Sequence, residues 1–289
     1  MKKTDRNALI SFIVVILVAL GVAMAGSQNG SEAFGLPIFM LAVALIFLIQ
    51  WLVFIPSFIN QTEKYYDITG SLTYISITIL AVIFSPQLDA RSLVLMLLVL
   101  IWAARLGTFL FRRIHRSGKD DRFDDIKPSF WRFLNAWSLQ ALWITLTMSA
   151  ALIAITSATK KALDIFFFVG LVIWVIGFSI EVIADQQKNN FRADPANQGK
   201  FIQSGLWSRS RHPNYFGEIT LWVGVLLITI PVLQGWQWIS LISPVFVTLL
   251  LTRVSGIPML EKKGDTKWGG QEEYKTYKKN TPVLIPRLK

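Results

Sequence analysis

The residues able to do chemistry in this chain gather where apolar runs give out. The longest such stretch begins at Glu181, where a hydrophobic segment passes into Asp185, Lys188, Asn189, Asn190 and Arg192. It continues into Gly205-Leu206-Trp207-Ser208-Arg209-Ser210-Arg211-His212-Pro213-Asn214-Tyr215-Phe216-Gly217-Glu218. Asp185, Asn189 and Arg192 follow at steps of four and three, so a helix continuing past the apolar run would carry all three on one face. Such a face can hydrogen-bond a ribose, an amide and a phosphate together. The same spacing also suits an ordinary solvated helix end, with Asp185 paired to Asn189 or Lys188. Pro213 lacks an amide proton and is favoured in a first helical turn, which predicts a helix over 214–230 with Asn214, Tyr215 and Glu218 near its mouth. Asn214 and Glu218 share a face, and a carboxylate just inside a membrane span needs a partner, here Arg211 or Arg253. A structural ion pair fixing the helix start is the competing reading.

Three further groups of residues qualify. Arg253 leaves the last apolar run and could grip a phosphate with its guanidinium fork. Beyond it come Glu261, Lys262 and Lys263 and the amphipathic run from Glu272 to Lys279, a basic tail suited to anionic lipid headgroups. Arg112-Arg113-Ile114-His115-Arg116-Ser117-Gly118-Lys119 is a second candidate anion site, although four aspartates follow it and a juxtamembrane charge cluster explains it as well. Arg105 lies about two turns inside an apolar run, where it must face a polar partner or snorkel to the interface. At Glu63-Lys64-Tyr65-Tyr66-Asp67, with Thr69, Tyr66 and Asp67 could polarise a carbonyl, or the tyrosines could anchor an interface.

The elements that must position these groups are membrane helices. The chain has 289 residues, 53% hydrophobic and 16% charged, with a mean hydropathy of +0.48. That composition excludes an ordinary water-soluble enzyme. Eight runs reach membrane length, near 8–25, 36–59, 68–84, 91–111, 135–156, 163–184, 217–232 and 236–252. The fold class expected is an all-α polytopic bundle of seven to eight spans, with cytoplasmic loops forming a cofactor site. Lys and Arg total 29 against 18 Asp and Glu, a net charge of +11, and 25 of the 29 cations fall on one side of the alternating spans. The positive-inside rule then makes both termini cytoplasmic. Because the excess lies in loops, nucleic-acid binding is not expected. The N-terminal Lys2-Lys3, the apolar run and Ala23-Met24-Ala25 also resemble a cleavable signal segment. Zero cysteines exclude thiolate chemistry, disulfides and iron–sulfur clusters, and His115 and His212 are too few for a His-rich metal centre. No metal is expected. Residues 1–30 read as an extra N-terminal span, and 31–289 as one catalytic membrane domain with a short basic tail.

On the Gly205–Glu218 block, with Glu181, Asp185, Asn189, Arg192, Arg253, Tyr274, Tyr277 and Ile285-Pro286, the chain resembles the steroid 5α-reductase-like superfamily, nearest its bacterial DUF1295 branch. The likeness covers about 50–270. It implies an NADPH-dependent reductase in the bacterial inner membrane. The reaction would be hydride transfer to the C=C bond of an α,β-unsaturated carbonyl lipid, by a monomer needing only lipids as partners. By position it implies cofactor contacts at Asp185, Asn189, Arg192, Asn214, Glu218 and Arg253, with Arg113 or Lys119 reaching the 2′-phosphate. Ile55-Pro56-Ser57-Phe58 resembles the reductases' substrate-carboxylate stretch, but Phe54 stands where the glutamate is expected and Trp102 falls near the tyrosine position. The acid is therefore sought at Tyr66 with Asp67. Arg211-His212-Pro213-x-Tyr215 with Glu273-Tyr274-x-x-Tyr277 also looks like the isoprenylcysteine carboxyl and phospholipid methyltransferases. In that alternative S-adenosylmethionine is the cofactor, His212 and Tyr215 position it and Glu261 holds its amino group.

Overall fold

The computed structural model describes residues 2–117 and 123–287, and for residues 109–117 the backbone alone. It is an all-α protein. Eight helical segments are long and apolar enough to cross a membrane, and the strands among the described residues are the two-residue pair Glu32–Ala33 and Leu36–Pro37. The chain divides into two compact units, residues 1–164 with 229–243, and residues 165–228 with 244–289.

The first unit is built on α5 (Phe130–Thr156), around which α1 (Lys3–Gly26), α2 (Ile38–Ile59), α3 (Tyr66–Phe84) and α4 (Ala90–Ser117) pack. Every α5 residue from Ile144 to Thr156 is buried. Its Ala, Ser and Thr residues are small, which lets neighbouring helices approach on every side and places it at the centre of the bundle. Two of its threonines satisfy their hydroxyls within the helix, Thr145 donating to the Ala141 carbonyl at 2.9 Å and Thr156 to Leu152 at 2.8 Å. The helix begins at Phe130, earlier than the apolar run suggests, because Ser129 caps it by accepting from the Arg132 amide at 3.3 Å.

Two of the cations that depart from the positive-inside pattern are hydrogen-bonded within the first unit. Arg91 is 1% exposed, bonded to the Asp164 carboxylate at 3.2 Å and to the Ala162 carbonyl at 2.9 Å. Lys160 reaches Ser92 Oγ at 3.2 Å and the Ile155 carbonyl at 3.0 Å.

The second unit contains α6 (Ile165–Ala193), α7 (Pro213–Thr229), α8 (Ile242–Leu249, its first two residues in the other unit), α9 (Ile257–Trp268) and α10 (Glu272–Asn280). α6 and α7 meet backbone to backbone along a glycine seam. A Cβ on Gly177 would lie 2.5 Å from the Leu221 nitrogen, and one on Gly217 would lie 2.6 Å from the Gly177 oxygen. Further along, a Cβ on Gly224 would lie 2.6 Å from the Gly170 oxygen. Only glycine allows this approach. The run expected as one span over 236–252 is not a uniform helix. A 3-10 segment (Gly235–Leu241) leads into α8, and a π turn (Leu250–Val254) closes it, with the Ser255 amide donating to the Leu250 carbonyl at 2.9 Å. Such π turns recur at functional sites.

Candidate functional site

Two polar groups stand out in the second unit, the Asp185–Asn214 pair and a network around Glu261. α6 runs on to Ala193, so Asp185, Asn189 and Arg192 are helical as their spacing predicts. Asp185 is half-buried and accepts from Asn214 Nδ2 at 3.1 Å. Asn189 and Arg192 are exposed further along. The seam favours the Asp185–Asn214 bond, since Gly217 brings α7 against the α6 backbone at Glu181, where a Cβ would lie 2.6 Å from the Glu181 nitrogen.

The segment 204–212 crosses the end of α6. Gly205, at φ +61°, permits a turn that packs against Gln187, whose Oε1 accepts the Leu206 amide at 2.9 Å. Trp207 is buried, its indole donating to the Ala184 carbonyl at 3.0 Å, and Lys188 lies 4.4 Å over its ring. Tyr277 of α10 donates to the Trp207 carbonyl at 2.7 Å, and burial pushes its hydroxyl pKa above the ordinary tyrosine range. The C-terminal segment pairs with the same loop. The Arg211 amide donates to Pro282 at 2.9 Å, Ser210 Oγ to Leu284 at 2.8 Å, and the Arg287 amide to Arg209 at 3.0 Å.

Glu261 on α9 is the hub. Its Oε2 takes Arg211 Nη1 at 2.8 Å and Lys278 Nζ at 3.1 Å, and its Oε1 lies 2.9 Å from His212 Nε2. Lys278 also holds Asp265 at 2.6 Å. Burial lowers the His212 pKa below the ordinary histidine range, against the opposing pull of Glu261. The neutral ring therefore donates Nε2–H to Glu261, which leaves Nδ1 as an acceptor. His212 and Tyr215 stack with centroids 5.6 Å apart and planes at 9°. Tyr215 in turn abuts Gly256, where a Cβ would lie 2.9 Å from its ring.

Three buried polar atoms in four consecutive residues have no hydrogen-bond partner among the described residues: Arg211 Nε, His212 Nδ1 and Asn214 Oδ1. Native structures rarely leave such atoms unanswered. They offer one donor and two acceptors beside the Asp185–Asn214 pair. Arg253, in the π turn, is exposed three residues before Gly256. One donor and two acceptors suit a ligand edge that both donates and accepts, such as an amide or a ribose, and the exposed Arg253 and Arg192 could meet negative charge. Glu218 is half-buried on α7, and Arg211, expected as one of its partners, is engaged by Glu261 instead. Gln187 and the pairing of Lys278 with Glu261 are not apparent in the sequence, because each acts through a residue distant in the chain.

The remaining candidates lie elsewhere. Lys119 and the Arg113 side chain fall outside the described residues. Tyr66 opens α3 in the first unit, its hydroxyl donating to the Ala136 carbonyl at 3.0 Å and its ring set between Phe123 and Trp137, with centroids at 4.9 and 5.2 Å. Asp67 is half-buried in the first turn of α3. Glu63 is buried and paired with Lys127 at 2.6 Å. Among the described residues no group of three His, Cys, Asp or Glu could hold a metal ion.

The model of the family described as protein of unknown function (DUF1295) matches residues 51–281. The 3-oxo-5-alpha-steroid 4-dehydrogenase 1 of Rattus norvegicus is 27% identical over 121 residues, 42% of this chain and 41% of the relative. The steroid 5-alpha-reductase DET2 of Gossypium hirsutum is 28% identical over 120 residues, 42% of each chain. An uncharacterized protein of Schizosaccharomyces pombe is 24% identical over 228 residues, 68% of this chain and 64% of that one. The chain thus covers less than half the length of the two named steroid enzymes. No solved structure shows a significant match. With the match running from within α2 through α10, the chain belongs to the DUF1295 family, within the steroid 5α-reductase-like membrane proteins.

Proposed function

We propose that this protein is an NADPH-dependent membrane reductase that saturates the C=C bond of an α,β-unsaturated carbonyl lipid. The observation that carries the reading is the strip Arg211–Asn214, where three buried polar atoms without partners adjoin the Asp185–Asn214 pair. Bound there, NADPH would supply the hydride; the protein's part is to bind, orient and exclude water. Asp185 and Asn214 would hold a ribose or amide edge. Asn189 and Glu218 extend that polar face, and Arg192 and Arg253 would neutralise phosphate charge. Arg113 and Lys119 remain candidates for the 2′-phosphate. The steroid-enzyme names of the relatives support the reaction class.

Reduction adds a hydride to one alkene carbon and a proton to the other, so a proton donor or carbonyl polariser is required. Tyr66 with Asp67 is assigned that role, on the condition that the Tyr66 hydroxyl exchanges its bond to Ala136 for one to substrate. The protein is read as a monomer of the bacterial inner membrane with cytoplasmic termini.

A second reading is an S-adenosylmethionine-dependent methyltransferase of a lipid or isoprenyl substrate. The stacked His212–Tyr215 pair beside Glu261 favours it. Against it, both Glu261 oxygens are already taken by Arg211, His212 and Lys278, which leaves little acceptor capacity for a cofactor ammonium. The test is thermal stabilisation of the purified protein by NADPH, NADH and S-adenosylmethionine, because a ligand at about 100 times its Kd adds about 2.7 kcal/mol. Stabilisation by NADPH alone is expected. Stabilisation by S-adenosylmethionine alone would replace the reductase with the methyltransferase.

A further inference from the structure

Beyond α10 the chain forms a strap, residues 282–287, bonded to the loop that leads into α7. The Arg211 amide donates to the Pro282 carbonyl at 2.9 Å, Ser210 Oγ to the Leu284 carbonyl at 2.8 Å, and the Arg287 amide to the Arg209 carbonyl at 3.0 Å. Those bonds fix where the strap lies, because Pro213, two residues past Arg211, opens a helix long and apolar enough to cross a membrane. α7 carries no charged residue beyond Glu218. At 1.5 Å rise per residue Pro213 lies about 8 Å from Glu218 along the helix, close to the depth of one headgroup layer. The strap is therefore level with the headgroups, where its partner loop enters the span.

Exposure alternates along the strap. Pro282, Leu284 and Pro286 are half-buried, whereas Val283, Ile285 and Arg287 are exposed, Val283 to 39% and Ile285 to 70%. A period of two is that of an extended chain, so these three side chains share one outward edge. At its end the Arg287–Arg209 backbone bond brings two exposed arginines together, and neither guanidinium forms an ion pair or hydrogen bond among the described residues. Lys275 and Lys278, in the basic run expected to meet lipid, are paired instead with Glu272 and with Glu261 and Asp265. An exposed isoleucine alone would call for no explanation. Level with the headgroups and beside two arginines without carboxylate partners, it matches a bilayer surface, which offers hydrocarbon to the one and phosphate to the others.

We propose that the strap docks on anionic phospholipid headgroups of the bilayer, with Ile285 reaching the hydrocarbon boundary and Arg209 and Arg287 binding lipid phosphate. This surface is distinct from the candidate cofactor strip and holds whether or not the protein is a reductase.

The chain contains no cysteine, so Ile285→Cys takes a single spin label. The labelled full chain is reconstituted in bilayers of phosphatidylcholine with and without phosphatidylglycerol. Its collisions with oxygen, which concentrates in hydrocarbon, are compared with those of a water-soluble nickel chelate. Oxygen collisions should dominate, and more strongly when phosphatidylglycerol is present. Arg209→Gln and Arg287→Gln should each lower the ratio of docked to free label about fivefold, the equivalent of about 1 kcal/mol per cation at an anionic surface. Val283→Cys reports on the same edge should the first variant not fold. Nickel collisions dominating in both bilayers would overturn the proposal. So would oxygen collisions indifferent to phosphatidylglycerol and to both arginine substitutions, because the arginines would then bind no lipid phosphate.

Discussion

Asp185 and Asn214 lie 29 residues apart in the chain, and their side chains meet at 3.1 Å because α6 and α7 touch through glycine. A side chain anywhere in the seam would separate the two helices and, with them, the polar pair. Gly217→Val should therefore destabilise the protein by about 1–3 kcal/mol. It should also abolish stabilisation by nucleotide, whereas an exposed change such as Gln186→Ala should do neither. Thermal melts with and without NADPH check both effects.

Glu261 answers three cationic or hydrogen-donating partners at once. Glu261→Gln keeps the shape but removes the charge and halves the acceptor capacity, so Arg211 loses its ion pair with Glu261 while Lys278 keeps Asp265. A loss of about 1–3 kcal/mol is expected, visible as a lower melting temperature. A double-mutant cycle with Lys278→Met should show coupling, since the residues are in direct contact.

The His212 pKa is lowered in the folded protein, chiefly by burial. The unfolded chain then binds a proton more readily than the folded one. Stability is full above the ordinary histidine pKa of about 6.5 and declines as pH falls below it toward the depressed folded value. His212→Gln should flatten the melting profile between about pH 7 and 5. A profile that keeps its slope in the variant would place the titrating group elsewhere.

Arg192 and Arg253 carry the phosphate assignment. Replacing either by alanine should weaken NADPH more than NADH, because only NADPH bears the 2′-phosphate; titration calorimetry reads the ratio, and equal losses would reject the assignment. If methyl transfer were the chemistry, Glu261→Ala would reduce S-adenosylmethionine affinity and Asp185→Ala would leave it unchanged.

The class of the fold and the neighbourhood of the site are legible in the residues alone. Runs of some twenty apolar residues must become helices in a membrane, where no water satisfies the backbone. The Asp185/Asn189/Arg192 spacing and Pro213 placed helical faces and a helix start where α6 and α7 carry them. Local periodicity holds that much because it depends on neighbours within a turn. Pairings across long separations were decided only by tertiary structure. Asp185 bonds Asn214, Arg211 pairs with Glu261, and Lys278 joins Glu261 from α10. The last apolar run, read as one span, bends through 3-10 and π turns. Each outcome follows from which helices can approach closely enough, and that depends on packing small residues such as Gly177 and Gly217 against a neighbour about forty positions away.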